Sequence, residues 1–414
     1  MSLPHLPMPA HTPRPRWQRR IDDTRQVLAR LERMPGLAQA PPRHETRGDC
    51  TGLALPVEFA DMPGLPRGAI DAFCNEPGFS AFGNNGSVAD YFRDNSAGQL
   101  EYRTVVAPTY RALHPRSHYL DPAVPYGQRA GELVLEAVTF HRQHGLDFGA
   151  LTPDHSGAIR ATSLLYAGPV ANTHGQGLWP HASSLPGGVA VGDGRSVADY
   201  QVCAMDDRLA LGVYCHETGH MLCDFPDLYE YDGRRRAGCG SFCLMCFGAV
   251  ADERNPPQVG AYLKVKAGWA RPQLLERGRS YVARAGANQV FIHQRSATEY
   301  FLIEARAQAG RDAALPASGL AIWHVDELGS NSDPGGAAQG HRHYECRLLQ
   351  ADGRDDLGAG TGPGTEGDAT DLFSATEGQV FDPARLPRWW DGQAAGLQIG
   401  GIRAVAEGFE FSFG

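Results

Sequence analysis

Two histidines and a glutamate lie close together in the segment His216-Glu217-Thr218-Gly219-His220. Residues four apart on an α-helix share a face, so the imidazoles of His216 and His220 can reach a single metal ion. Two neutral nitrogen ligands leave Zn²⁺ strongly electrophilic and lower the pKa of a bound water molecule. Glu217 falls beside that face, where it can accept the proton of the zinc-bound water. The spacing therefore predicts a hydrolytic zinc site.

The residues before this motif indicate a helix that buries the two histidines. Asp206 and Asp207 favour a helix start, because acidic side chains interact well with the positive end of the helix dipole. Leu209 and Val213 then precede the first histidine at steps of four and three, so the histidines continue an apolar stripe. The alternative is a surface helix that carries two solvated histidines. A stripe that faces the interior favours metal ligands.

Composition and charge favour an enzyme over a nucleic-acid-binding or membrane protein. The chain has 414 residues, of which 42% are hydrophobic and 21% charged, which is typical of globular proteins with two or three domains. The net charge of −9 gives no support for nucleic-acid binding, which favours a basic face. No window of about 18 apolar residues occurs, so we expect no membrane span. The Pro-rich start lacks the apolar core of a signal peptide.

Changes of residue pattern along the chain predict an arm and two domains within an α+β fold. Residues 1–48 form a Pro- and Arg-rich arm whose segment 17–34 has the pattern of a charged amphipathic helix. This arm is either the remnant of a pro-region or a solvated helix without function. In residues 49–272, strand-like runs alternate with helix-like runs, which indicates a mixed domain. In residues 273–414, short β-runs between Gly- and Asp-rich loops indicate an all-β, sandwich-like domain.

The nine cysteines bear on whether the protein is exported or stays inside the cell, and five of them lie between positions 215 and 246. Cys239, Cys243 and Cys246 could form a second metal site. Their two spacings, C-x3-C and C-x2-C, share Cys243, however, and no second pair of cysteines follows to complete a zinc site. Disulfides in an exported protein are the interpretation that the count favours. The missing signal peptide points the other way, so the compartment stays open.

Further segments of the chain form a set that extends well beyond the histidine motif. They are residues 55–61, 86–92, 96–98, 178–181, 216–222, 226–229, 244–248, 261–262, 268–269, 299–304 and 319–326. With this set the chain resembles, over roughly residues 52–414, the immune-inhibitor-A family of secreted bacterial metallopeptidases, which are metzincin-like. The resemblance implies a metzincin-like zinc peptidase domain at residues 49–272. It also implies a Met-turn in which Met245 packs beneath the metal.

The third zinc ligand is left open between two carboxylates. Metzincin-type sites take this ligand six residues after the second histidine, where this chain has Pro226. The Pro-Asp pair of the family corresponds to Pro226-Asp227, shifted by one residue, so the resemblance favours Asp227. Asp224 is the alternative, because a carboxylate oxygen from either residue is a suitable zinc ligand. The resemblance also implies that His181 lies on a substrate-binding strand; the alternative is a satisfied core histidine.

Motif and resemblance together predict a zinc-dependent endopeptidase that hydrolyses peptide bonds in protein substrates, with Glu217 as the general base. One alternative is a zinc aminopeptidase or another hydrolase of small peptides. The other is a catalytically inactive peptidase-fold module for binding or adhesion, against which the intact Glu217 speaks. We expect protein or peptide partners and no nucleic acid. The resemblance implies an extracellular location, although the sequence shows no signal peptide.

A second metal, Ca²⁺, is predicted in the β-rich part of the chain. Five aspartates lie in a Gly-rich stretch with little apolar content: Asp352, Asp355, Asp356, Asp368 and Asp371. Flexible Gly-rich loops let carboxylates gather around a hard cation, and without one such acids repel each other. A second group of this kind consists of Asp326, Glu327, Asn331 and Asp333. The alternative is that both groups are solvated surface loops.

Overall fold

The computed structural model describes residues 14–32, 45–173, 175–206, 208–231, 236–360, 364–374 and 387–414. The chain forms two compact units. The first contains residues 1–22, 47–94 and 98–226, and the second contains residues 23–46, 95–97 and 227–414. Helices and sheets occur together, so the predicted α+β class is confirmed. The predicted domain boundaries at residues 48 and 272 stay a prediction.

The first unit is built around one mixed sheet. Its helices are α1 (Arg16–Glu32, of which residues up to 22 belong to this unit), α2 (Arg67–Asn75), α3 (Val88–Asn95), α4 (Arg116–Tyr119), α5 (Gln128–Gln143) and α6 (Leu211–Cys223). Its strands are β1 (Gly48–Glu58), β2 (Leu100–Val106), β3 (Tyr110–Arg111), β4 (Thr162–Ala167), β5 (His181–Gly192) and β6 (Arg195–Met205). In the part of the chain that the structure describes, no helix is both long and apolar enough to cross a membrane.

The sheet of the first unit has the strand order β2-β1-β4-β6-β5, with β3 beside the end of β1. The strands β2, β1, β4 and β6 run parallel, whereas β5 runs antiparallel to β6 at the edge. The central strands are continuous apolar runs, such as residues 53–57 of β1, because both faces of a parallel sheet are covered. The alternation of strand-like and helix-like runs expected in residues 49–272 is present, and β4, β6 and α5 are among its elements.

The helix of the histidine motif begins later than the sequence predicted. Asp206 and Leu209 precede α6, which starts at Leu211, and Asp207 lies outside the described residues. The backbone amide of Leu211 donates to Asn84 Oδ1 at 3.3 Å, and Asn84 Nδ2 donates to the carbonyl of Leu209 at 2.8 Å. The start of α6 is therefore fixed by a side chain more than a hundred residues away in sequence, and the predicted acidic start was wrong.

The second unit contains two antiparallel-dominated sheets and short helices. Its elements are α7 (Ala249–Ala251), α8 (Ala261–Lys266), β7 (Gln273–Leu274), β8 (Arg279–Arg284), β9 (Phe291–Gln294), β10 (Glu299–Arg306), β11 (Gly319–Asp326), β12 (Cys346–Leu348), α9 (Asp356–Ala359), β13 (Ile399–Val405) and β14 (Gly408–Phe413). One sheet has the order β12-β11-β10-β9-β7, and the other has the order β13-β14-β8. The short β-runs predicted after residue 269 are confirmed.

Both sheets of the second unit contribute to one hydrophobic core. Phe291, Ile303 and Ile322 of the larger sheet and Phe411 and Phe413 of the smaller sheet belong to the same buried cluster. Each strand places alternate side chains on one face, so the period-two pattern of β14 directs its three phenylalanines into this core.

The predicted disulfides were wrong. All nine cysteines are buried, and the structure shows no disulfide among them. Burial raises the pKa of the Cys74 thiol and of the Cys243 thiol to about 12, as expected where the charged thiolate loses its hydration. The alternative metal site at Cys239, Cys243 and Cys246 is not supported either, because the metal-binding groups found among the described residues contain no cysteine. The number and spacing of cysteines in the sequence do not show that each of these side chains is buried.

Candidate metal centre

Hydrogen bonds hold α6 on the sheet of the first unit. The helix packs against β5 and β6. Gln201 on β6 donates from Nε2 to Thr218 Oγ1 at 2.9 Å and to Ser163 Oγ at 2.6 Å, and all three side chains are buried. Such a satisfied buried network specifies one position of the helix, since any shift would leave polar groups without partners. The residues of the histidine motif are thereby fixed relative to the sheet.

The structure brings together three of the predicted metal ligands. His216, His220 and Asp227 each offer a ligand atom, and these atoms lie within 4.8 Å of one another. The three residues lie in one continuous segment of twelve residues, and their exposed fractions are 2%, 2% and 7%. The two imidazole rings lie 4.8 Å apart and nearly perpendicular. Two imidazole nitrogens and one carboxylate oxygen form a donor set that suits Zn²⁺ and leaves a fourth position for substrate or water.

The end of α6 orients His220. The Nδ1 atom of His220 lies 2.6 Å from the carbonyl oxygen of Phe225, which places the proton on Nδ1 and the lone pair on Nε2. The chain reaches this carbonyl because Asp224 adopts the left-handed conformation, with φ of 52°, and ends the helix. The amides of Asp224 and Phe225 then donate to the carbonyls of His220 and Gly219. The helix end therefore fixes the imidazole tautomer that can bind a metal.

The structure separates the two candidates for the third ligand. Asp227 lies with the histidines, and its carboxylate accepts a hydrogen bond from the Tyr231 hydroxyl. Asp224 is instead held by Arg20, whose Nε lies 2.9 Å from both of its carboxylate oxygens and whose Nη2 lies 2.5 Å from Oδ1. A carboxylate in such a bidentate pair is committed to the guanidinium. The geometry therefore favours Asp227.

Glu217 is buried next to the ligands, with an exposed fraction of 8%. Its carboxylate acts electrostatically on two neighbouring groups. Burial is the largest cause that raises the pKa of Tyr126 well above its ordinary value, and the negative charge of Glu217 raises it further. The pKa of the Cys203 thiol is raised by the same two causes in the same order. Glu217 therefore lies among buried groups of the first unit, where a carboxylate can exchange a proton with little competition from bulk water.

A cavity of about 950 Å³ lies along the edge strand β5. Its lining includes Tyr126, Ser183, Ser184 and Tyr200. His181, the first residue of β5, packs its ring 4.6 Å from that of Tyr126 and lies with Nδ1 2.6 Å from the carbonyl oxygen of Trp179. His181 thus begins the edge strand β5, contacts a residue that lines the cavity and is not part of the group of His216, His220 and Asp227. Its role in substrate binding stays a prediction.

The first half of α1 covers the metal-binding group. The ring of Trp17 stacks on that of His220 with centroids 4.2 Å apart and an interplanar angle of 15°. Trp17 and Ile21 are buried, with exposed fractions of 6% and 4%. The amide of Arg16 donates to Ser184 Oγ on β5 at 2.8 Å. The predicted charged helix in the arm is therefore packed against the first unit, and its interpretation as a solvated helix was wrong for these residues.

Arg20 makes polar contacts between α1 and the rest of the first unit. Besides its pair with Asp224, its Nη1 lies 3.0 Å from Asp199 Oδ2 on β6. Burial lowers the pKa of Arg20, but the two carboxylates outweigh burial and the net shift is upward. Neither Trp17 nor Arg20 was a candidate site residue at the level of sequence. The sequence did contain one signal for this contact, a tryptophan three residues before an arginine in a mostly polar helix. An apolar stripe on a polar helix is usually buried against another surface of the protein.

Met245 is completely buried in a short helical turn, Leu244–Gly248. Its carbonyl oxygen accepts a hydrogen bond from the amide of Leu228 at 2.8 Å, immediately after Asp227 in the chain. This bond ties the predicted Met-turn to the residue that follows Asp227 in the chain. The role of Met245 beneath a metal stays a prediction.

The five aspartates predicted to bind calcium do not form one group. Asp352, Asp368 and Asp371 offer ligand atoms within 4.8 Å of one another. A guanidinium already supplies positive charge to this cluster, because Arg354 Nη2 lies 2.6 Å from Asp352 and 2.7 Å from Asp368. Asp355 points elsewhere, since its side chain is 67% exposed and lies 3.7 Å from Arg347. Asp356 accepts a hydrogen bond from Gln350.

The second acidic group is also divided in the structure. Glu327 accepts hydrogen bonds from the buried hydroxyls of Tyr262 and Tyr300 at 2.9 and 2.6 Å. The amide of Asn331 donates to the carbonyl of Cys346, and Asp333 accepts from the amide of Gly336. Asp326 lies beside two histidines. The group therefore does not gather around one cation, and the expectation of a single site was wrong.

Comparison with known proteins adds no assignment: no family model matches the chain, and no curated protein matches it.

Proposed function

We propose that this protein is a zinc-dependent endopeptidase of the immune-inhibitor-A type, with a metzincin-like catalytic domain and a sandwich-like C-terminal domain. The observation that carries the proposal is the convergence of His216, His220 and Asp227 within 4.8 Å, on a buried segment that also contains Glu217. Two imidazole nitrogens and one carboxylate oxygen within this distance form a donor set that suits a divalent cation. The arrangement therefore supports a metal centre with a general base beside it.

The donor set supports zinc as the metal. His220 has its Nδ1 proton directed at a backbone carbonyl, as a metal-binding histidine requires, and Asp227 is held by Tyr231. His216, His220 and Asp227 would hold the ion. When bound, Zn²⁺ supplies Lewis acidity at the scissile carbonyl and acidifies water. The hydrophobic setting of α6 keeps these ligands out of bulk solvent.

Glu217 supplies the proton transfers. Its carboxylate accepts a proton from the attacking water and delivers this proton to the nitrogen of the departing amine. The C–N bond breaks as the new C–O bond to water is retained, so the products are a carboxylate and an amine. Tyr126 stays protonated at neutral pH because burial and the charge of Glu217 both raise its pKa. It therefore lies in this environment as a hydrogen-bond donor rather than as a base.

The edge strand β5 supports an extended substrate. A strand at the edge of a sheet offers unpaired backbone groups to which a peptide can add as a further strand. The cavity beside β5 is lined by Tyr126, Ser183, Ser184 and Tyr200, a mixture of aromatic and hydroxyl side chains. This surface fits a polypeptide better than a single amino acid. It favours an endopeptidase over an aminopeptidase.

The proposal includes a role for the arm as an inhibitory pro-region. Trp17 covers the ring of His220, and Arg16 donates to Ser184 on the strand where a substrate would add. A substrate that reaches the metal-binding group along β5 therefore competes with these residues. Removal or displacement of the arm is required for full activity.

The experiment that tests the proposal measures bound metal and proteolysis together. The purified protein is prepared in the full-length form and after limited proteolysis that removes the arm. Metal content is measured by mass spectrometry, and hydrolysis of casein is followed with and without 1,10-phenanthroline. We expect about one zinc ion that depends on His216, and casein hydrolysis that the chelator abolishes.

Two outcomes would replace the proposal. Hydrolysis of amino-acid amides without hydrolysis of casein would identify an aminopeptidase. Zinc binding with neither activity, after the arm is removed, would identify a binding module that keeps the peptidase fold. Calcium binding at Asp352, Asp368 and Asp371 is a secondary part of the proposal, and the pair with Arg354 weighs against tight binding.

A further inference from the structure

Two histidines that the proposed function does not use lie beside an aspartate in the second unit. Asp326 is the last residue of β11, and His341 and His343 lie in the loop that precedes β12. His341 Nδ1 is 2.8 Å from Asp326 Oδ2, and His343 Nε2 is 2.5 Å from the same oxygen. Asp326 is buried, with an exposed fraction of 3%. Three donor atoms from two distant segments therefore converge at one point.

Backbone hydrogen bonds hold this convergence in place. The other oxygen of Asp326 accepts from the amide of Leu328 at 2.9 Å, so its Oδ2 is turned towards the histidines. The amide of His343 donates to the carbonyl of His341 at 2.8 Å, which makes a tight turn. That turn allows two residues with a spacing of two to present their rings to the same oxygen. The positions of the donors are thus built into the local backbone.

A glutamate orients one of the rings from the far side. Glu32, at the end of α1, has its Oε2 atom 3.3 Å from His341 Nε2 and accepts from Thr298 Oγ1 at 2.9 Å through Oε1. A carboxylate on the outer nitrogen of an imidazole fixes the tautomer whose inner nitrogen can bind a metal. This carboxylate–histidine arrangement is the usual support of a metal-binding histidine in proteins.

An aromatic side chain fixes the second ring. Trp390 stacks on His343, with centroids 4.1 Å apart and an interplanar angle of 10°. The same indole stacks on His324 at 4.8 Å and 12°. Stacking on both partners restricts the rotation of His343 about its side-chain torsions. The ligand atom of His343 is therefore held in position before any ion binds, which lowers the entropic cost of binding.

A comparison with another histidine group in the first unit sharpens the interpretation. His114, His118 and Glu132 also offer three donor atoms within 4.8 Å. There Arg129 Nη1 lies 2.8 Å from His118 Nε2 and 2.6 Å from Glu132, so a guanidinium already provides the positive charge. Asp326 has no ion pair with an arginine or a lysine among the described residues.

We propose that Asp326, His341 and His343 form a second metal site, which takes a divalent transition-metal ion of the zinc class and is distinct from the site at His216. Two imidazole nitrogens and one carboxylate oxygen suit zinc, whereas Ca²⁺ and Mg²⁺ prefer oxygen ligands alone. Water completes the coordination. Glu32 holds His341 from outside the site. The ion links the end of β11 to the loop before β12, and it stabilises the fold of the second unit rather than performing catalysis.

The test begins with metal stoichiometry in the full-length protein. Metal-free protein is titrated with Zn²⁺ in competition with a chromophoric chelator, and Co²⁺ is used as a spectroscopic probe of coordination by nitrogen ligands. The proposal predicts two equivalents in the wild type. It predicts one in His341→Ala/His343→Ala and one in His216→Ala/His220→Ala. The matched control is His144→Ala/His155→Ala, which removes two imidazoles outside the metal-binding groups and retains both equivalents.

The two single-site losses keep this proposal separate from the proposed function. If only the His216 site does not bind zinc, the wild type binds one equivalent of Zn²⁺, and this equivalent depends on His341. If only the second site does not bind zinc, the wild type binds one equivalent of Zn²⁺ that depends on His216. Equal stoichiometry in the wild type and in His341→Ala/His343→Ala would overturn the second site. Binding of that equivalent only at millimolar Zn²⁺ would overturn it as well.

Glu32→Gln keeps the proposal testable if the double variant does not fold. This substitution leaves all three ligands in place and removes only the negative charge on the outer side of His341. We expect it to retain two equivalents but to weaken one of them about 10–100-fold, the usual effect of losing such a partner. An unchanged affinity at both sites, with Co²⁺ spectra identical to those of the wild type, would contradict the role of Glu32 and the site that depends on it.

Discussion

The molecule contains two pairs of histidines, each beside a buried aspartate, that differ in how they are held. His216 and His220 lie four residues apart on α6, whereas His341 and His343 lie two residues apart in a loop. A tryptophan stacks on one ring of each pair, at 4.2 Å in the first and 4.1 Å in the second. The helix creates its geometry from local spacing, and the loop depends on Asp326 and Glu32 from elsewhere in the chain. Equivalent donor sets can therefore arise by a local or by a tertiary route.

The carboxylates around the two pairs differ as well. Glu217 follows His216 directly and is buried beside the ligands, where it can serve as a base. Glu327 follows Asp326 directly, but it is occupied by the hydroxyls of Tyr262 and Tyr300. Burial is the largest cause that raises the pKa of Glu327. This difference supports the catalytic role proposed for the first pair and the structural role proposed for the second.

The largest expected effect is on catalysis at the first pair. Glu217→Ala removes the general base but leaves His216, His220 and Asp227, so we expect proteolysis to fall about 10³-fold with zinc content unchanged. His216→Ala should lose activity together with the zinc ion of this site, and it should keep the ion of the second site. Casein hydrolysis and metal content are measured for each variant, with the exposed Glu407→Ala as control. Retention of near wild-type turnover by Glu217→Ala would rule out the mechanism.

A buried histidine without a metal provides the contrast in pH dependence. His141 on α5 has an exposed fraction of 2%, and its Nε2 has no hydrogen-bond partner among the described residues. Burial lowers the pKa of His141 to about 4. Because its folded-state pKa lies below the unfolded value of about 6.5, its contribution to stability is present above pH 6.5 and is lost as the pH falls towards 4.

His141→Leu should remove this pH dependence. The shift corresponds to at most about 3 kcal/mol between pH 6.5 and pH 4, from about 1.4 kcal/mol for each pH unit. Urea unfolding is measured at both pH values for the wild type, for His141→Leu and for the control His144→Leu on the same helix. The same loss of stability in the wild type and in His141→Leu over this window would contradict the assignment.

The third ligand provides a direct comparison of two neighbouring carboxylates. We expect Asp227→Ala to weaken zinc binding more than about 100-fold, because it removes one of three protein ligands. Asp224→Ala should weaken zinc binding less than about 10-fold, since Asp224 is paired with Arg20. Competition titration with a chromophoric chelator gives both affinities. The reverse ranking would place Asp224 on the metal.

The two tryptophans should have opposite consequences. Trp17→Ala removes the stack on His220, and we expect proteolysis by the full-length protein to rise roughly 2–10-fold, the equivalent of about 0.5–1.5 kcal/mol for a stacked pair. Trp390→Ala should leave turnover unchanged and weaken the second metal site. Initial rates on casein are measured for the full-length wild type, for full-length Trp17→Ala and for the protein without its arm. Activation by removal of the arm, with no rise in Trp17→Ala, would contradict the inhibitory role of Trp17.

The smallest expected effect concerns the all-oxygen cluster of Asp352, Asp368 and Asp371. Arg354 already neutralises this cluster, so we expect 1 mM Ca²⁺ to stabilise the zinc-saturated protein by no more than about 0.4 kcal/mol, the value for a dissociation constant near 1 mM. Arg354→Ala should increase the response, because the cation can then replace the guanidinium. Thermal unfolding with and without Ca²⁺ measures both. A shift of several degrees in the wild type would establish a tight calcium site.

The comparison also shows what sequence alone could establish. The strands β4, β6 and β14 were predictable because continuous or alternating apolar runs determine them locally. The convergence of His216 and His220 on one face of α6 was predictable for the same reason, since a spacing of four needs only a helix. The start of α6 was not predictable, because Asn84 fixes it through a tertiary contact. The group at Asp326 was missed because its two histidines have no regular spacing and their carboxylate partner lies 15 residues earlier.

Asp224 connects the arm to the proposed metal centre. This residue closes α6 one turn beyond the ligand His220, and its buried carboxylate is neutralised by Arg20 of the arm. Departure of the arm would remove the guanidinium of Arg20 from this carboxylate, at the end of the helix that carries His216 and His220, two of the ligands proposed for zinc. Thermodynamic reciprocity then applies: any factor by which the docked arm changes zinc affinity is the factor by which zinc changes the affinity of the arm. The release of the arm can in this way be set by the availability of the metal itself.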